Sequence, residues 1–382
     1  MIKGADISSL LEVEACGGRF YDTEKTSPAC RGGGPLAVEG FCCEDALVIL
    51  KRRGVNLIRL RLWNDPYDEN GTPYGAGTND LNHTMELARR CKALDLPWLL
   101  DFHYSDFWAD PGKQFVPKAW RNLDEDGLTK AVYGFTLATL ERLRSENLLP
   151  TMVQIGNEIS NGLLWPYGQS PNYMAIARFV SAGIRAVKKV DPSIQTVIHL
   201  DNGGWNGLYR SWFDSYLING GVDFDCIGLS YYPFWHGPME GLKHNLHNLA
   251  QRYRKPMLIA ETSMAFTLEE CSDREGLLRE QKRGLAANEM TAAGVAYAMT
   301  PEGQARYLED LWEVVCSVPE GLCRGFVWWE PAWLPVEGSG WTTPAGLAYV
   351  HEKGPGGNEW ANQGWFDYDG KALPVLKTVE EL

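Results

Sequence analysis

The stretch Thr151-Met152-Val153-Gln154-Ile155-Gly156-Asn157-Glu158 is a short apolar run that finishes in an amide and a carboxylate, and Pro256-Met257-Leu258-Ile259-Ala260-Glu261 repeats the pattern later in the chain. Short apolar runs of this kind, bounded by turn residues, read as strands buried on both faces. Working outward, six more appear at residues 2–8, 55–62, 97–103, 194–200, 226–232 and 325–330. The gaps carry helix-like segments at 44–53, 81–94, 127–146, 173–190, 208–218, 242–252 and 301–315, the last opening on a proline suited to a first helical turn. This alternation predicts an α/β fold, a single (β/α)8 TIM barrel over residues 1–382 with long loops at its C-terminal face. No GxGxxG or P-loop pattern follows an early strand, which ranks a doubly wound open sheet below the barrel. The Trp- and Gly-rich segment 331–364 is too long for an ordinary barrel loop and is expected to fold over the open end.

With 45 % hydrophobic and 22 % charged residues, the 382-residue chain has the composition of a globular protein, which excludes a mainly disordered or fibrous one. A formal net charge of −13 repels phosphate backbones and anionic lipids, so neither nucleic acid nor membrane is expected as a partner. No apolar run approaches the ~20 residues that cross a bilayer. Residues 1–6 enter a strand without a signal-peptide apolar segment, so the chain as written is expected to be cytoplasmic, or extracellular if a leader has been removed. Nine cysteines without a zinc-type CxxC pair predict reduced thiols and no metal cluster, and a monomer is expected. Gly- and Pro-rich clusters at 30–35 and 68–77 mark loops and not linkers.

In such barrels the reacting groups sit at the C-terminal ends of strands. Glu158 and Glu261 end the fourth and seventh runs, where they can face each other across a sugar ring, and two carboxyl groups are what glycosidic cleavage usually requires. The competing reading, an ordinary rim ion pair, suits one such glutamate better than both together. Asn157 can hydrogen-bond a sugar hydroxyl beside Glu158 without neutralising a carboxylate. Arg59 and Arg61, two apart on one strand face, are both candidates to hold Glu261 ionised and to depress its pKa, while Glu158 should sit higher in a partly dry cleft. Tyr231 and Tyr232 are candidates to orient the nucleophile through a phenol. Asp101, His103 and His199 would suit a divalent ion, but without an HxH or HExxH pattern their expected use is sugar recognition. Fifteen tryptophans include Trp63, Trp108, Trp165, Trp205, Trp235, Trp329, Trp333 and Trp341 at or just past strand ends, where flat indole faces match pyranose rings and suggest a polymer groove.

Six blocks in order, Leu60-Arg61-Leu62-Trp63-Asn64-Asp65-Pro66, residues 101–111 (DFHYSDFWADP), Gly156-Asn157-Glu158, residues 231–237 (YYPFWHG), Ala260-Glu261-Thr262-Ser263 and residues 329–333 (WEPAW), make the sequence resemble the arabinogalactan endo-β-1,4-galactanases of glycoside hydrolase family 53. The resemblance implies a (β/α)8 barrel that hydrolyses β-1,4-galactan with retention, with Glu158 as acid/base and Glu261 as nucleophile. It further implies that Asn157, Arg59 or Arg61, Asp101, His103, Asp106, Trp108, His199, Tyr231 or Tyr232, Trp235, Trp329 and Trp333 line the sugar subsites. No cofactor is expected. Some bacterial relatives bind structural calcium after the seventh strand, but residues 264–276 (MAFTLEECSDREG) offer few clustered oxygens for it here. The 159–169 segment, with Leu163, Leu164 and Trp165, departs from the family pattern, so preferred chain length does not carry over. Rival readings are a related barrel acting on mannan, glucan or xylan, a non-catalytic galactan-binding barrel, and a metal-dependent hydrolase at His103 and His199.

Overall fold

In the computed structural model, which describes residues 1–23, 37–38, 41–271 and 283–382, eight parallel strands close on one another. They are β1 (Ile2–Asp6), β2 (Leu57–Leu62), β3 (Trp98–Phe102), β4 (Met152–Ile155), β5 (Gln195–Leu200), β6 (Cys226–Ser230), β7 (Met257–Thr262) and β8 (Cys323–Trp329), each beside its chain neighbour, with β8 paired to β1. Closure is tight where β1 meets β8. Gly325 has φ +143°, and a Cβ on it would lie 1.9 Å from the Ile2 carbonyl, so glycine is required there.

Helices α1 (Ala46–Arg52), α2 (Leu81–Ala93), α3 (Glu125–Ser145), α4 (Tyr173–Val190), α5 (Asn206–Ile218), α6 (Met239–Tyr253), α7 (Pro301–Ser317) and α8 (Val375–Glu381) alternate with the strands. Side-chain oxygens of Asp45, Asp80, Asp124, Asn172 and Thr300 accept from the first-turn amides of α1, α2, α3, α4 and α7, fixing where those helices start. The expected barrel is therefore the observed one, with α8 added. A small antiparallel sheet of Phe20–Asp22, Ala37–Val38 and Phe41–Glu44 follows β1.

The barrel interior is layered. Ile2, Leu57, Leu99, Met152, Val197, Cys226, Leu258 and Val327 pack together as an apolar plug. Two residues further along four of these strands, on the same inward face, stand Arg59, Asp101, Gln154 and His199, all fully buried. Polar side chains thus begin where the plug ends, and they form the base of the site at the C-terminal face. Cys42 is disulfide-bonded, a correction to the expectation of reduced thiols, while Cys16, Cys43, Cys91, Cys226, Cys271, Cys316 and Cys323 are free. The 30–35 loop and residues 272–276 of the stretch read for calcium lie outside the described residues. Among the described residues no helix is long and apolar enough to cross a membrane.

Candidate active site

Glu261 closes β7 with both carboxylate oxygens occupied: Oε1 lies 2.8 Å from Arg59 Nη2, and Oε2 accepts from the Tyr232 phenol at 3.0 Å. Arg59 is itself fixed from several sides. Its Nη1 meets Asp6 at 2.7 Å, its Nη2 meets Asp101 at 2.9 Å and Asn157 Oδ1 at 2.8 Å, and its Nε donates to Gln154 at 3.3 Å. A buried guanidinium with this many acceptors has one orientation, and that orientation sets the carboxylate it holds.

Glu158 follows β4 across two residues in the left-handed region, Gly156 at φ +83° and Glu158 itself at φ +47°. A non-glycine residue in that region is uncommon, and the twist carries the chain directly from strand into the short turn Ile159–Asn161. Asn157 is anchored by donating to the Ala109 carbonyl at 2.8 Å. Glu158, Glu261 and Asn157 all line one cavity of about 250 Å³, together with His103, Trp108, Asp110, Asp201, Tyr232, Trp235, Trp329, Trp341 and Trp360.

The two carboxyl groups differ in what faces them. Burial and the negative charges of Glu261, Asp201 and Asp110 push Glu158 well above the usual carboxylate range. Burial also lifts Glu261, to about 7, against the pull of Arg59. The expectation that an arginine would depress Glu261 is thus corrected: desolvation outweighs the guanidinium. The order survives, because Glu261 has a cation and a phenol to favour its ionised form, so Glu261 ionises first and Glu158 keeps the shared proton.

Several predicted residues stand elsewhere than at the cavity. Arg61 does not touch Glu261. It pairs with Glu330 at 2.5 Å, its guanidinium lying 4.5 Å from the centre of the Trp108 ring, because one turn of strand pleat places it over β8 and not over β7. Tyr231 is turned away from the cleft and donates to the Gly237 carbonyl, since successive strand residues face opposite sides and Tyr232 takes the inward one. Asp106 accepts from the backbone amides of Asp65 and Lys118 and so ties loops together. Asp101 and His199 lie beneath the cavity, the first paired to Arg59 and to His103 Nε2 at 3.0 Å, the second fully buried among Gln154, Asn157 and Ser230. Trp333 backs the wall, ring centre 6.1 Å from that of Trp329, with its indole N–H on Asn358. Both oxygens of Asp101 are taken by Arg59, His103 and Gln154, which leaves it no free position for a metal ion. Among the described residues no group of three His, Cys, Asp or Glu side chains converges as a metal site.

Sequence reasoning does not single out Asp6, Ser230 or Trp360. Asp6 ends β1 as Glu261 ends β7, and Ser230 stands two residues from Tyr232, so strand-end position and alternation are the signals that point to them. Trp360 comes from the long segment after β8 and no periodicity marks it. That segment does reach over the strand ends as expected: its Trp341 stacks on Trp108 at 4.2 Å and 13°, and its Trp360 meets Trp329 at 4.5 Å. Trp165 lies in a separate hollow with Phe115, Tyr167 and Tyr349.

A parallel barrel that brings two carboxyl groups from its strand ends into one aromatic cleft, with a cation on one of them alone, is the architecture of a glycoside hydrolase. The chain belongs to glycosyl hydrolase family 53, whose sequence profile matches residues 2–379. An uncharacterised protein of Niallia circulans is 39 % identical over 99 % of this chain and 93 % of its own length. The endo-beta-1,4-galactanase of Bacillus subtilis (strain 168) is 34 % identical over 99 % of this chain and 85 % of its own. Among solved structures, the family 53 catalytic domain of Ignisphaera aggregans superposes with a TM-score of 0.86 at 39 % identity, covering 99 % of this chain and 95 % of that one.

Proposed function

We propose that this family member is an endo-acting enzyme that cleaves β-1,4-galactosidic bonds within galactan, the polysaccharide of type I arabinogalactan, by double displacement with retention. Family membership and the galactanase named among its relatives support the substrate. One observation carries the mechanism: Glu158 and Glu261 share a cleft, and only Glu261 is held by a guanidinium and a phenol. An ionised Glu261 attacks the anomeric carbon while Glu158 transfers its proton to the departing O4, giving a galactosyl ester and a shortened chain. Glu158, now ionised, takes a proton from water, whose oxygen displaces Glu261 and releases the sugar. Asn157 is placed to bond the 2-hydroxyl, and the indole faces of Trp108, Trp235, Trp329, Trp341 and Trp360 to receive pyranose rings. Every group in these steps comes from one chain, so the reading is of a monomer without cofactor.

Incubation with potato galactan beside galactomannan and cellulose, followed by product sizing, tests it. A ladder of galacto-oligosaccharides from galactan alone is expected. A ladder from mannan or cellulose overturns the substrate, and no products from any of the three overturns the enzyme.

A further inference from the structure

The fully buried His199 on β5 plays no part in the steps just described, yet its two ring nitrogens lie between groups that do. Its Nδ1 is met by two N–H donors, Gln154 Nε2 at 3.0 Å and the backbone amide of Glu158 at 3.4 Å. Asn157 Oδ1 lies 3.1 Å from the same nitrogen but already accepts from Arg59 Nη2 at 2.8 Å and Gln154 Nε2 at 3.2 Å. Nδ1 is therefore an acceptor, the ring is neutral, and its one proton sits on Nε2. Burial and the nearby Arg59 charge act in the same direction, holding His199 well below its ordinary pKa. Nε2 lies 2.8 Å from Ser230 Oγ, so the imidazole donates to the serine. A hydroxyl that receives a hydrogen bond still has one proton of its own to give, and Ser230 bonds the Glu158 carboxyl.

We propose that Ser230, oriented by neutral His199, is the positioning residue of the Glu158 carboxyl: its hydroxyl donates to one oxygen, leaving the other to carry the proton destined for the sugar. The inference rests on Glu158 being the acid/base. A carboxyl with two equivalent oxygens can hold its proton on either, and only one faces the glycosidic bond. The Ser230 donor removes that ambiguity, and it also stabilises the carboxylate that forms once the proton has left. It works against Glu261 on β7, Asp201 after β5 and Asp110 after β3, whose charges disfavour the ionised form, with the phenols of Tyr232 and Tyr209 also facing Glu158. The same His199 nitrogen accepts from Gln154, which bonds Asp101, which pairs with Arg59 and through it with Glu261. One network thus sets both carboxyl groups.

The test is Ser230→Ala, assayed on galactan and on a dinitrophenyl β-galactobioside, whose leaving group needs no acid. On galactan kcat is expected to fall about tenfold with KM within about twofold, the size of a lost hydrogen bond to a charged group. The basic limb of kcat/KM, which reports loss of the Glu158 proton, moves to higher pH by about one unit because a donor to the carboxylate has gone. The glycosylation rate on the dinitrophenyl substrate stays at the parent value. If Ser230→Ala does not fold, Ser230→Cys, nearly isosteric and a weak donor, reads the same limb. An unmoved limb, or equal losses on the two substrates, overturns the proposal and leaves Ser230 a packing residue. Glu158→Gln assayed in parallel separates the two levels: if it loses as much on the dinitrophenyl substrate as on galactan, the acid/base reading fails and this proposal with it.

Discussion

Arg59 and Arg61 stand two residues apart on one strand, each with a buried guanidinium, each near Asp6, and each paired with a glutamate from a strand end. Burial lifts both partners, Glu261 and Glu330, to about 7 against the arginine that holds them. By charge environment the two pairs are alike. They differ in where they open. Glu261 reaches the cleft and takes a phenol from Tyr232, whereas Glu330 is fully buried, with its oxygens taken by Arg61 and by the amide and hydroxyl of Ser9. A raised carboxyl pKa thus marks burial in both places and chemistry in one, and access to substrate is what separates them.

Exchanging the glutamates breaks the comparison most sharply. Glu261→Ala is expected to lose ~10⁴-fold or more in kcat on galactan and on an activated aryl galactoside alike, because both need the nucleophile. Glu330→Gln should stay within about tenfold of the parent in the same reducing-sugar assay, since its carboxyl touches no substrate. Near-normal turnover in Glu261→Ala would hand the nucleophile's role to Glu330.

The arginines come next, and they should fail in different ways. Arg59→Met leaves Glu261 without its cation, and kcat falls about 10²–10³-fold, as when a preorganised charge is removed from an active site. Arg61→Met leaves Glu330 buried and unpaired and is expected to cost about 3–5 kcal/mol in denaturant unfolding. Comparable stability losses in both variants would mean that both pairs are structural.

The smallest contrast lies in the hydroxyls. Tyr232→Phe removes a donor to the Glu261 carboxylate, so the pKa of that group rises and the acid limb of kcat/KM, which needs it ionised, moves to higher pH by less than about one unit. Ser9→Ala removes the matching donor from Glu330, should cost about 1–3 kcal/mol in a thermal or urea melt, and should leave the acid limb where it was.

The strands were legible because parallel barrel strands are buried on both faces, which writes apolar runs such as Met152–Ile155 and Met257–Thr262 into the sequence with their carboxylates at the ends. The helix Val375–Glu381 escaped because it is under three turns long and carries no sustained period. The two catalytic carboxylates could be located, since each ends a strand, but not which arginine meets which. Spacing of two puts Arg59 and Arg61 on one face, and only the stagger of β7 and β8 around the barrel sorts them. Adjacent Tyr231 and Tyr232 pose the same problem in another form: alternation says one of them points inward and needs the register to say which. His199 sits at the right height on its strand for sugar contact, and what covers it is the Asn157–Gln154 pair, a tertiary fact with no local signature. Tryptophan count announced an aromatic cleft, but not that its members would pack mostly on one another.

That self-packing gives the molecule a built-in optical gauge. Trp108 and Trp341 lie face to face at 4.2 Å, and Trp329, Trp341 and Trp360 crowd the same wall. Indoles this close share their electronic excitations, so their near-ultraviolet circular dichroism depends on the angle between rings and shifts when a ligand nudges one of them. Titrating unlabelled oligosaccharide into an inactive Glu158→Gln enzyme should therefore report occupancy from the protein's own absorption, without a dye or a chemical turnover.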